Sequence, residues 1–137
     1  MRKLSYLKNN KGFSLVELVV VITIMVILIA VFAPNIVGYV RKSHIRTMTM
    51  SCKTIYVGAQ AYVSEKKSRR ESIDTDTIAV EELWNNQYIQ PIEGDYDIEI
   101  KLSDNHLAVD YVYYDDGSGV KADYPYGASG KEITAEE

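Results

Sequence analysis

The pattern of apolar and polar positions divides the chain into three regimes. From Leu18 to Ala33, sixteen consecutive residues carry no charge, and the hydroxyl of Thr23 is the only polar side chain among them. With Phe13–Glu17 added, the stretch is 21 residues, about 31 Å of helix at ~1.5 Å per residue, which matches a bilayer core of ~30 Å. Beyond it, Ile45, Met48, Cys52, Ile55, Ala59 and Tyr62 recur at spacings of three and four. That is the apolar stripe of an amphipathic helix, with Arg46, Lys53 and Gln60 on its other faces. One helix from Phe13 to Lys66 would be ~80 Å long. A compact domain of this size has no use for such a helix, whereas a fibre does. Pro34 removes a backbone donor and Gly38 loosens the next turn, so a kink is expected there.

The third regime is mixed. "KKSRRESIDTDT" is a charged break that ends the long helix. "TIAVEELWNNQYIQP" then reads as a short helix over about 77–89. Asp76 or Thr77 is its expected N-cap, Glu81 and Glu82 stand in its first turn, and Pro91 stops it. Leu83, Trp84, Tyr88 and Ile89 would cover a core. After Gly94 the period drops to two. Tyr96, Ile98, Ile100 and Leu102 alternate with Asp97, Glu99 and Lys101, and Leu107, Val109, Tyr111 and Tyr113 share one face of the next strand. These predict a β-hairpin over about 95–115, with a third strand in "GVKADYPY" and a flexible tail in "GASGKEITAEE". So few strands are marginal alone, and they are expected to lean on the helical stripe. The fold class is α+β: a long N-terminal spine helix, kinked near Pro34, against a small antiparallel sheet. The segments are 1–12, a basic leader; 13–38, the membrane-length half of the helix; 39–67, its amphipathic half; and 68–137, a small head.

Charge sharpens this picture. Arg2, Lys3, Lys8 and Lys11 precede Gly12 without a single acid, which predicts an N-in, single-pass orientation in a cytoplasmic membrane. Residues 41–73 are basic and the stretch from Asp74 onward is acidic. Cys52 is the only cysteine, so no intrachain disulfide exists. Its place on the apolar stripe predicts a buried thiol, and the exposed alternative is a disulfide between chains.

Three readings compete for the front end. A secretory signal peptide is disfavoured by the length of the run, by Glu17 within it, and by Pro34 directly after the small residues that would mark a cleavage site. A plain anchor explains the length and leaves Glu17 without a purpose. A carboxylate in a membrane helix costs ~2.5–3.5 kcal/mol at the centre and less near the surface. Glu17 therefore either snorkels to the interface or has a partner.

The stretch "KGFSLVELVVVITIMVILIAVFAP" resembles the N-terminus of type IV pilins and pseudopilins. A basic leader ending in Gly12, then Phe13, Glu17, an unbroken apolar run, Pro34 and Tyr39 carry the resemblance; Val26 stands where many relatives have a small residue. The resemblance implies cleavage between Gly12 and Phe13 by a membrane prepilin peptidase, methylation of the new Phe13 amine by the same enzyme, and pairing of Glu17 with that amine on a neighbouring subunit to set filament register. It implies copies of the chain or related pilins, an assembly platform and an ATPase as partners. The chain would be stored in the membrane and end in an extracellular pilus. The lone cysteine and minimal head resemble subunits of Gram-positive type. A pseudopilin of a DNA-uptake or secretion system is the alternative.

Nothing in the sequence points to an enzyme. His44 and His106 are the only histidines, and no nucleophile–base order, zinc spacing or phosphate loop accompanies them. No catalytic residue, metal site or cofactor is expected. Asp95, Asp97 and Glu99 could offer oxygens to calcium, though a solvated acidic strand face explains them. The cations from Arg41 to Arg70 could meet phosphates of lipid headgroups or nucleic acid. Headgroup contact fits Arg41 and Lys42, while Lys66, Lys67, Arg69 and Arg70 could instead meet the acidic head of an adjacent subunit, a reading preferred to nucleic acid.

Overall fold

The computed structural model describes residues 12–134; residues 1–11, within the segment expected to be a leader, and the stretch 135–137 lie outside the described residues. Two compact units divide between Tyr39 and Val40. Helix α1 (Leu15–Ser68) contributes to both and contains Pro34.

In the first unit α1 is apolar on every face and every face is exposed. The hydroxyl of Thr23 donates to the Val19 carbonyl at 2.7 Å, so the one polar side chain of the run is satisfied within its own turn.

The second unit is built on the other part of α1. Met48, Cys52, Ile55, Gly58, Ala59, Tyr62 and Val63 are buried, which reproduces the predicted stripe and adds Gly58 and Val63 to it. Against them lies a four-stranded antiparallel sheet in the order β1 (Thr77–Ile78), β2 (Asp97–Leu102), β3 (Val109–Asp115), β4 (Lys121–Tyr124). Ile100 pairs with Ile78 on one side and Val112 on the other, and Tyr114 pairs with Ala122. Ile100, Leu102, Val112 and Ala122 are at most 2 % exposed. They are the sheet's half of the core.

Three local expectations change. The short helix α2 covers only Val80–Asn85, because Thr77 and Ile78 pair with the edge of β2 instead. Ala79, not Asp76 or Thr77, then takes the N-cap position without a side-chain cap. Both helices end on a residue with positive φ, Arg70 and Gln87. Glu71 N–H donates to the Lys66 carbonyl and Tyr88 N–H to the Leu83 carbonyl, the closing bond of a Schellman turn.

The second change is in the hairpin. A bulge shifts the register so that Lys101 faces Tyr111 while Leu102 faces Val109. The extra residue, Asp110, reverses the alternation. Val109, Val112 and Tyr114 therefore serve the core, Tyr111 and Tyr113 turn to the opposite face, and Leu107 is exposed.

The third is the stretch read as a tail, whose part up to Thr134 is bound to β4. Thr134 N–H donates to the Lys121 carbonyl at 2.8 Å. Asp123, 1 % exposed, accepts from the N–H of Gly127, the N–H of Ser129 and the Ser129 hydroxyl at 2.7–3.0 Å. Lys131 pairs with Glu99 at 2.5 Å and sits 4.2 Å over the Tyr113 ring. A buried carboxylate holds a chain whose composition alone suggests disorder.

Candidate functional site

The candidate processing segment starts where helix begins. Gly12, Phe13 and Ser14 have no regular structure and are exposed, with Phe13 at 87 %. A methyl group placed on Gly12 would meet nothing within 4 Å. The described residues therefore give no packing reason for glycine there. Gly58 shows the contrast: its added carbon would lie 2.6 Å from Ile89 Cγ2, so the head itself demands that glycine. Gly38, like Gly12, meets nothing.

Glu17 has a local role that the sequence reading missed. The Ser14 N–H donates to Glu17 Oε2 at 2.8 Å, and the Glu17 N–H donates to Ser14 Oγ at 3.3 Å. This is a reciprocal capping box, and its signature, Ser-x-x-Glu ahead of an apolar run, is visible in "SLVE". The acid thus begins the helix and also favours its positive end. One carboxylate oxygen, Oε1, makes no hydrogen bond among the described residues. Phe13, Ser14 and Glu17 are brought into one turn; Pro34 and Gly38 follow further along the same helix.

In the head unit, polar contacts fasten loops to α1. His44 meets Asp116 at 2.5 Å, and Asp116 also accepts from the Ser118 hydroxyl and from the N–H groups of Ser118 and Val120. Burial pushes the Asp116 carboxyl upward, but the bonds from Ser118, His44 and the two backbone donors outweigh it and hold the group at about 2. His106 and Lys101 share Asp76. His44 thus ties α1 to the loop after β3, and His106 ties the loop after β2 to the stretch before β1. Cys52 is fully buried and points at the Ala122 carbonyl at 3.5 Å; burial, with the charge of Asp123 second, pushes its thiol up to about 12. Such a thiol is inert.

Two charged clusters singled out in the sequence are partly engaged within the chain. Glu99 is engaged by Lys131 and the Tyr111 hydroxyl, and no group of three potential metal ligands occurs among the described residues. Lys66 and Arg69 are paired with Glu71 and Glu65 in their own chain, which leaves Lys67 and Arg70 as the members of that basic cluster without an ion pair among the described residues.

An exposed glycine, a helix started by an acid and a helix long and apolar enough to cross a membrane thus stand together at the front of the described residues. Residues 7–33 match the prokaryotic N-terminal methylation motif. Over 66 residues the chain is 32 % identical to the type IV major pilin protein PilA of Myxococcus xanthus (strain DK1622), covering 48 % of this chain and 30 % of that one. The chain thus spans about a third of the length of that curated relative. No solved structure matches. The chain thus carries an N-terminal methylation motif and is similar, over about half of its own length, to a type IV major pilin.

Proposed function

We propose that this chain is the precursor of a structural subunit of a type IV pilus or related extracellular filament, rather than an enzyme. A membrane prepilin peptidase cuts between Gly12 and Phe13 and methylates the new amine. The fifteen basic residues fall to eleven when Arg2, Lys3, Lys8 and Lys11 leave, against nineteen acids. The mature chain waits in the cytoplasmic membrane, α1 foremost, until a platform and ATPase draw it into the fibre. Pro34 and Gly38 are where α1 gives.

The observation that carries this reading is the exposed, wholly apolar front of α1 bearing one acid, one turn after a glycine that no described neighbour requires. In the filament, Glu17 Oε1 would meet the charged amine of a neighbouring Phe13, in an environment whose low dielectric strengthens the attraction. The pair offsets the desolvation of both groups and fixes the axial offset between copies; its first use is specificity. Antibodies raised to the head test the proposal on cells expressing the chain. Decoration along the length of surface filaments is expected; filaments free of label, or a chain confined to the membrane, would contradict it.

A further inference from the structure

Part of α1 in the head unit is unpartnered. Lys42, Arg46 and Lys53 are exposed and form no ion pair among the described residues, whereas Lys101, Lys121 and Lys131 are all paired. Steps of four and seven keep the three cations on one side of the helix. Beside them run Met50 and Val57, 70 % and 59 % exposed, on the side away from the buried stripe. An apolar groove of about 350 Å³ separates Met50 and Thr54 from Ile92 and Tyr114. Directly after Ile92 come Glu93, Asp95 and Asp97, exposed and likewise without an ion pair among the described residues. Asp97 also faces Asp115 across the strands, a like-charge pair that costs stability. The head thus carries a cationic edge, an apolar groove and an acidic edge, and neither edge is neutralised by an ion pair among the described residues.

We propose that this face is the contact between the heads of successive copies, Lys42, Arg46 and Lys53 of one meeting Glu93, Asp95 and Asp97 of the next. The inference rests on the filament reading and deepens it. Charge complementarity selects a second copy as the occupant: the acids that suit the cations would repel a polyanion such as DNA. The apolar groove supplies the dry centre of the contact, and the flanking charges supply orientation and association rate. Glu17 then sets register at the N-terminus while the charged edges set it at the head.

The test uses full-length chain in cells whose surface filaments contain it. Reversing the cations (Lys42→Glu, Arg46→Glu, Lys53→Glu) or the acids (Glu93→Lys, Asp95→Lys, Asp97→Lys) should each lower filament number by roughly tenfold or more, and combining both sets should restore it. Processing at Gly12 and protease resistance of the head should stay unchanged, since these side chains are exposed and form no ion pair among the described residues. Lys53 alone lies over an aromatic ring, 5.9 Å from the centroid of Tyr124. Gln and Asn at the same positions give a milder version if a reversal hinders processing. Normal filaments from the cation reversal would overturn the proposal, and so would failure of the combined variant to recover. Loss of DNA retention with filaments intact would assign the cations to nucleic acid and overturn it as well. Absence of wild-type filaments would instead sink the function proposed above.

Discussion

Glu17 shows how one residue can answer to two environments. Within the chain its carboxylate and Ser14 close the first turn of α1; in the proposed fibre it also meets a neighbour's amine. Glutamine separates these roles, because it serves a capping box without charge. Glu17→Gln and Glu17→Val should both be processed, and both should lose filaments when counted by electron microscopy. Full assembly by Glu17→Gln would reduce the acid to a helix cap. Asp116 offers a second test at this scale. Its pKa is depressed to about 2 from 3.8, so its stabilising effect is complete above about pH 4 and is lost as pH falls toward 2. The chain from Val40 onward should therefore be more stable than its Asp116→Asn variant at neutral pH in urea unfolding, with the gap closing in acid; a gap independent of pH would contradict the assignment. Cys52 should react with thiol reagents only on unfolding.

Elements differ in how far their sequence betrays them. The apolar run, the stripe from Ile45 to Tyr62 and the alternation of β2 were legible because burial there follows the local period. β1 was not, since two residues at a sheet edge have no period, and Thr77–Ile78 gained a partner in β2 that only the tertiary fold supplies. The faces of β3 were misread because one bulged residue, Asp110, inverts every position after it. The docked segment after Pro125 was invisible because its anchor, Asp123, lies on a different element and looks like any surface acid. Two variants test this packing. Gly58→Ala must displace Ile89 and the Tyr88 backbone, and should destabilise the head by ~1–3 kcal/mol. Asp123→Ala strands two N–H groups and a hydroxyl, costing ~1–3 kcal/mol, and should expose residues 127–134 to carboxypeptidase before the head unfolds. Resistance equal to wild type would show that the segment is held by something else.

For the whole molecule, the functional segment was more legible than the head. The methylation motif over residues 7–33 is recognisable because it is a spacing written along the chain, and the roles proposed for Gly12, Phe13 and Glu17 are read from that spacing. The capping bond at Ser14 was equally visible there and passed over. The head's surface required the fold, since its free charges are known only once Lys66, Arg69 and Lys131 are found in pairs. Processing is the step on which all of the proposed assembly depends: it removes the leader and creates the amine that Glu17 awaits. Intact-mass spectrometry of the chain purified from the membrane tests it directly. The account predicts a mature species beginning at N-methylated Phe13; a chain that still begins at Met1, or one cut beyond Pro34, would contradict it.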